Sequence, residues 1–206
     1  MAVIIFDFDG TIADSFDYVA NFLAREAGQA PLSDHDRHEL RGLSMVGMAR
    51  KLGFKWWQGP RLFFKGRSEM RKTINHLKTF KGIPEVVRKL HAEGHELFIL
   101  STNSVRNIRH YLRRHRMYKH FLQIYGGVGV FGKGPALRQL LRDQNFDVTQ
   151  AVYVGDELRD VEAAKSIGMR VVAVSWGFAS RQNLEAAKPT GLADNPEELM
   201  RILQEV

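Results

Sequence analysis

The sequence contains no cysteine among its 206 residues. Disulfides and thiolate metal sites are therefore excluded, and oxygen donors dominate what is left for holding a metal. No apolar run reaches transmembrane length, and the longest reads as a strand. The opening apolar run is short and soon meets acid, which is not the layout of a signal peptide. A cytoplasmic location is expected, with no membrane partner. Internal repeats and low-complexity segments are absent, and the eight histidines show no ligand spacing, so they read as surface residues. Acid is missing from one stretch, 106–119 ("RNIRHYLRRHRMYK"), which carries six Lys and Arg. It reads as the solvated face of a helix. Neither a clear interleaving of aromatics nor a known binding motif stands out there, which disfavours nucleic acid as a partner.

Hydrophobic residues make up 44% of the chain and the formal charge is +7. The first value is ordinary for a globular protein; the second favours anionic partners. "AVIIFDFD" reads as a buried strand. From Ser15 to about Leu77 the pattern is helical. "FDYVANFLAREAG" forms one helix stopped at Gly28, two shorter helices follow, and a longer one starts near Pro60. No convincing strand appears in that stretch. The pattern then alternates. "PEVVRKLHAEG" is a helix with Pro84 in its first turn and Gly94 at its end. "HELFILST" is a strand, "SVRNIRHYLRRH" a helix, "FLQIYGGV" a strand and "GPALRQLLRDQN" a helix. "AVYVGD", "ELRDVEAAKSIG" and "MRVVAVSWG" continue as strand, helix, strand, and "DNPEELMRILQEV" closes as a helix.

One helix between successive strands predicts an α/β fold with a doubly wound parallel sheet. The first strand is apolar enough for the sheet centre, yet about 65 helical residues separate it from the alternation. They are expected to be an insertion. The boundaries are 1–14 and 82–206 for the α/β core and 15–81 for a small all-helical cap. An insertion after strand one hangs over the carboxyl edge of the sheet, where such folds bind ligands, and is naturally a lid.

Strand ends converge on that edge. They bring Asp7 and Asp9, the cluster Ser101, Thr102 and Asn103, Lys133 after "GVGVFG", and Asp156 with Asp160. Carboxylates this close need a cation, and Mg²⁺ suits an oxygen donor set. Asp7 could attack phosphorus as a nucleophile. Asp9 could protonate the leaving alcohol and then activate water. Lys133 would neutralise phosphoryl oxygens and Ser101 donate a hydrogen bond to one of them. Thr102 is the alternative hydroxyl, and Asn103 a candidate contact to the phosphate or leaving group. Gly10 lets the chain turn close to the crevice, and Thr11 is expected to brace that loop. Asp156 can also cap a helix, and Asp160 can simply pair with a cation. Asp14 reads as a helix-start residue. Trp56 and Trp57 read as packing within the cap or against the core.

"DFDGT" resembles the signature of the haloacid dehalogenase superfamily, on its phosphatase branch. "LFILST", the lysine of "FGKGPAL" and "GDELRD" follow in the order of that family's further motifs, and the resemblance covers nearly the whole chain. It implies a Rossmann-like core with an inserted helical cap. It implies Asp7 as nucleophile, Asp9 as acid and base, and Ser101 and Lys133 at the phosphoryl group. It also implies Mg²⁺ held by Asp7, the Asp9 carbonyl and Asp156, with Asp160 in support. The aspartate at the second motif position separates phosphatases from dehalogenases. "LRGLS" (40–44) resembles the specificity loop of caps of the β-phosphoglucomutase and phosphoglycolate phosphatase type, where Arg41 would reach the far end of the substrate. Gly10 and Thr11 join Thr102, Asn103 and Arg41 as phosphate- or substrate-binding candidates. "SWG" after "MRVVAV" is similar to the phosphoglycolate phosphatase group.

The expected function is a Mg²⁺-dependent phosphomonoester hydrolase acting on a small phosphorylated metabolite, phosphoglycolate by resemblance. A phosphomutase using the same carboxylates, or a non-catalytic binding protein on this fold, are the alternatives. A receiver domain would share paired acids, a hydroxyl and a lysine, but the insertion and the DxDGT spacing argue against it. The sequence leaves monomer and dimer open.

Overall fold

A computed structural model describes residues 2–129 and 132–205. Val130 and Phe131, within the predicted "GVGVFG" approach to Lys133, lie outside the described residues. The first strand, β1 (Val3–Phe6), is followed by a two-residue strand, β2 (Ala13–Asp14). Four helices come next: α1 (Phe16–Glu26), α2 (Asp34–Leu40), α3 (Met45–Lys51) and α4 (Gly59–Thr73). The chain returns through β3 (Lys78–Thr79). It then runs α5 (Ile83–Ala92), β4 (Glu96–Ser101), α6 (Val105–Arg114), β5 (Gln123–Gly126) and α7 (Lys133–Gln144). The last third is β6 (Ala151–Gly155), α8 (Leu158–Lys165), β7 (Arg170–Val174), α9 (Arg181–Ala186), β8 (Gly191–Ala193) and α10 (Pro196–Glu205).

Six strands form one sheet in the order β5-β4-β1-β6-β7-β8, with every neighbouring pair parallel. The fold is therefore α/β and doubly wound, as the alternation predicts. β1 lies in the middle, and the chain builds the sheet to one side of it and then to the other. Its carboxyl end is thus the switch point where ligands bind in such sheets. Alternation of side chains along the strands makes two cores. Ile4, Phe6, Leu97, Ile99, Val152 and Val172 face α5, α6 and α10. Ile5, Phe98, Leu100, Tyr153 and Val171 face α7, α8 and α9. Burial on both faces explains why these strands read as continuous apolar runs.

The sequence reading missed α9 and β8. β8 is a three-residue edge strand, Gly-Leu-Ala, without the β-branched run that marks the central strands. It also missed β2 and β3, which pair antiparallel where the chain leaves the sheet and returns. Asp14 sits in this ribbon, paired with Lys78, rather than at a helix start. The helices of α1 to α4 rest against the rest of the chain through few polar contacts. Gly42 N–H donates to the Phe178 carbonyl at 2.9 Å, and Asn107 Nδ2 donates to the Arg67 carbonyl at 3.3 Å. Tyr111 hydroxyl donates to the Lys78 carbonyl at 2.9 Å.

The basic stretch 106–119 has its apolar side, Ile108, Tyr111 and Leu112, buried. Two of its cations lie over the Tyr118 ring, Arg109 at 6.0 Å and Arg113 at 4.9 Å. His120 departs from the surface reading of the histidines: it is buried and stacks edge-on against His91, with ring centroids 4.9 Å apart. No helix among the described residues is long and apolar enough to cross a membrane.

Phe98 is fully buried, edge-on to Phe146 at 6.0 Å between centroids. Phe98→Ala leaves a cavity against α7 and is expected to cost about 3–5 kcal/mol. Urea denaturation followed by circular dichroism measures it as a lowered midpoint at unchanged slope.

Candidate active site

The edge above β1 is built by continuing that strand beyond its last paired residue. Asp7 N–H donates to the Val154 carbonyl at 2.8 Å, so Asp7 is still fixed against β6. Gly10 then turns with φ +82°, a left-handed conformation open to glycine. A Cβ on Gly10 would fall 2.1 Å from Asp156 Oδ2, and one on Gly177 would fall 2.2 Å from the same atom. The backbone thus encloses Asp156 closely on two sides. Thr11 Oγ1 donates to Asp156 Oδ1 at 2.8 Å, and Phe178 N–H donates to Oδ2 at 2.8 Å. Thr11 braces this carboxylate, and its own side chain is fully buried.

Lys133, in the first turn of α7, is buried between two acids. Its Nζ donates to Asp7 Oδ2 at 2.6 Å and to Asp160 Oδ1. Burial opposes its charge, but Asp160 and Asp7 outweigh that and hold the ammonium above its ordinary pKa. Burial pushes the Asp7 carboxyl up, and Lys133 offsets part of the rise. Asp160 has a second task. Its Oδ2 accepts from Glu157 N–H at 3.0 Å, closing a capping box at the start of α8. The N-cap of α8 is therefore Glu157, not Asp156. Asp156 is left facing the other acids, and burial together with Glu157, Asp160 and Asp7 raises its pKa well above the ordinary range.

Asp9 turns away from this group. Its Oδ2 accepts from Asn103 Nδ2 at 3.0 Å, while its Oδ1 is buried without a partner. Burial, and then the charge of Asp7, push its carboxyl up to about 6. Asn103 is itself held, since its Oδ1 accepts from Ser104 N–H at 2.8 Å and from Asn107 Nδ2 at 3.0 Å. Ser101 Oγ accepts from Asn103 N–H at 3.1 Å and is fully buried. Thr102, the next residue, lines the cavity beyond Asp9.

That cavity, of about 630 Å³, lies between the helices of α1 to α4 and the sheet edge. Arg41 does not line it. Its guanidinium sits 4.4 Å from the Phe16 ring centroid and borders a second cleft of about 420 Å³ with Trp176 and Ser180. Trp176 Nε1 donates to the Thr11 carbonyl at 3.2 Å, so the "SWG" turn is tied to the loop after β1. Trp56 and Trp57 are not packing residues. They are 86% and 61% exposed, and Trp56 stands at the cavity. Sequence reasoning missed Asn107, Arg67, Glu157 and Arg159. Asn107 carried a signal: it is a polar residue on the side of α6 that otherwise buries Ile108, Tyr111 and Leu112. Arg67 lies over Phe63, one turn before it in α4, at 5.3 Å, a contact that helical spacing allows.

Asp7, Asp156 and Asp160 each offer a carboxylate oxygen, all within 4.8 Å of one another. Around them Asp9 and Glu157 add acid, and Lys133 and Arg159 are the cations that answer it. The acids outnumber the cations there. A hard, oxygen-only donor set with surplus negative charge fits a divalent cation such as Mg²⁺.

The model of the haloacid dehalogenase-like hydrolases matches residues 4–174. The chain is 36% identical to a phosphoglycolate phosphatase from Synechococcus elongatus, over 100% of this chain and 99% of that one. It is 24% identical to a 5′-nucleotidase from Pseudomonas aeruginosa, over 98% and 95%. Among solved structures, a haloacid dehalogenase-like hydrolase from Streptococcus pneumoniae superposes with a TM-score of 0.81 at 22% identity, covering 99% of both chains. A hydrolase from Pseudomonas syringae superposes at 0.76 and 22%, covering 100% and 99%. The chain belongs to the haloacid dehalogenase-like hydrolases. Within them it is a phosphatase, and its likeness is to the phosphoglycolate phosphatases.

Lys133→Met removes the one cation between Asp7 and Asp160. It is expected to cost about 3–5 kcal/mol at neutral pH, since both acids stay buried. Asp7 already has a raised pKa in the fold, and the loss of Lys133 raises it further. An acid with a raised pKa destabilises the fold once pH rises through that value. The gap between wild type and variant therefore narrows as pH falls, which denaturation at pH 7.5 and 5 measures.

Proposed function

We propose that the chain is a Mg²⁺-dependent phosphomonoester hydrolase working through an aspartyl-phosphate on Asp7. The observation that carries this is the pairing of Asp7 with Lys133 at the end of β1, with Asp9 beside it but held separately by Asn103. On this reading one carboxylate attacks and the other moves protons. Asp7, the Asp9 carbonyl and Asp156 would hold the metal, with Asp160 in support. Bound there, Mg²⁺ would neutralise charge on the phosphoryl oxygens and orient the group.

In the first step a carboxylate oxygen of Asp7 bonds to phosphorus, and the bond from phosphorus to the alcohol oxygen breaks. Asp9 gives that oxygen its proton, a task suited to a carboxyl raised to about 6. In the second step water bonds to phosphorus as Asp9 takes its proton, and the bond to Asp7 breaks, releasing phosphate. Lys133 supports charge on the phosphoryl oxygens throughout. Ser101 serves as the phosphoryl-facing hydroxyl, with Thr102 as the alternative: Ser101 Oγ accepts from Asn103 N–H and keeps its own hydrogen to donate. Gly10 brings the backbone close to the crevice, and Thr11 holds Asp156.

Residues 15–81 act as the cap and 1–14 with 82–206 as the core. A small phosphorylated metabolite is the substrate class, and the phosphoglycolate phosphatase relatives put phosphoglycolate first in any screen. The location proposed is cytoplasmic. The test is release of inorganic phosphate from a panel of phosphate monoesters. Turnover is expected with Mg²⁺ and is lost in EDTA and in Asp7→Asn. Asp9→Asn is expected to lower kcat by about 10²–10⁴. Asp7→Asn equal to wild type would overturn the mechanism.

A further inference from the structure

The cavity above Asp9 is walled mainly by apolar side chains. Phe22, Met45, Phe54, Leu62, Phe63 and Met70 line it, contributed by α1, α3, α4 and the turn after α3. Polar groups gather at its floor, where Asp9, Thr102 and Asn103 open into it. The space is not that of a detached cap. Gly42 and Asn107 tie the helical segment to the core by the hydrogen bonds at 2.9 and 3.3 Å given above. A two-carbon carboxylate would leave most of about 630 Å³ unfilled; of the cations at the cavity, Arg50 and Lys55 are exposed at its edge and Arg159 is paired with Glu157.

We propose that this cavity holds the alcohol portion of the substrate, and that the preferred substrates are phosphate monoesters of bulky, apolar alcohols carrying an aromatic ring. The inference rests on the reading above, because Asp9 at the floor is the group that protonates the departing alcohol. If Asp9 serves that oxygen, the rest of the alcohol extends from the floor into the apolar walls. Size and lining are those of sites that enclose a whole organic ligand with few polar anchors. The phosphate stays at Asp7 and Lys133, below the cavity. Arg67, over the Phe63 ring, closes one side by a cation–π contact.

The test compares ethyl phosphate, 2-phenylethyl phosphate and 2-phosphoglycolate with Mg²⁺. The first two release alkyl alcohols of similar basicity, so a difference between them reads binding of the ring. Wild-type kcat/KM for 2-phenylethyl phosphate is expected to exceed both others by about tenfold or more, since each methylene-sized contact is worth about that. Phe63→Ala is expected to lower the ratio of 2-phenylethyl to ethyl phosphate at least about fivefold. Val46→Trp provides a second variant should Phe63→Ala fold poorly. Val46 is 48% exposed on α3 and lines the cavity, so a larger side chain narrows the space without entering the core. It is expected to lower the same ratio. A wild-type ratio below tenfold, phosphoglycolate as the preferred ester, or a preference unmoved in the folded variants overturns this inference. In each of those cases the mechanism stands if Asp7→Asn is inactive. If no ester turns over above Asp7→Asn, the hydrolase reading fails and this inference with it.

Discussion

Lys133 between Asp7 and Asp160 is the interaction on which the rest of the site depends. Parallel strands ending at one edge bring acids from β1, β6 and the start of α8 into a volume that excludes water. Such a group is stable only if each charge is answered. Lys133 answers two of them from the first turn of α7, and so fixes that helix against the sheet. Asp160 answers Lys133 with one oxygen and caps α8 with the other. One carboxylate thereby sets the position of a helix and the charge at that sheet edge together. Asp156 has no cation of its own, and an excess of carboxylate oxygens at this edge suits a hard divalent cation.

The second constraint is asymmetry between Asp7 and Asp9. They stand two residues apart, but their surroundings separate them. Asp7 is buried against an ammonium. Asp9 accepts from a neutral amide and keeps one oxygen free of partners. Two carboxyls in unlike settings can take the two roles of nucleophile and proton carrier. Asn103 and Asn107 keep them unlike, and Asn107 also contacts the Arg67 carbonyl of α4. The same short polar chain thus orients Asp9 and ties down the helices over it. The walls those helices provide are mainly apolar, so the site joins a charged floor to a space suited to an apolar group.

Much of this was legible in the residues. The apolar runs at β1, β4, β6 and β7 are buried on both faces, and such runs need no tertiary context to read as strands. The acids at their ends and the order of the four motifs marked the edge. Weak signals failed where tertiary packing supplies the stability. β8 is held by pairing with β7 and cover from α10, not by its own propensity. The pair β2–β3 joins residues more than 60 apart, which no local pattern shows. Trp56 and Trp57 read as packing residues because large aromatics usually are; the fold leaves them in solvent.

The sequence by itself determined five of the six sheet strands, the helical stretch after the first of them, and the acids, lysine and hydroxyls at the strand ends. Those follow from periodicity, turn residues and the identity of side chains at strand ends, all local along the chain. The tertiary structure alone decided which group each acid faces. It turned Asp9 to Asn103, gave Asp160 both Lys133 and a helix cap, and placed Arg41 at a separate cleft. It also decided that the space above Asp9 is apolar. That property belongs to no segment: α1, α3 and α4 each contribute residues far apart in the chain. Only packing against one another over the sheet edge gives them a common wall.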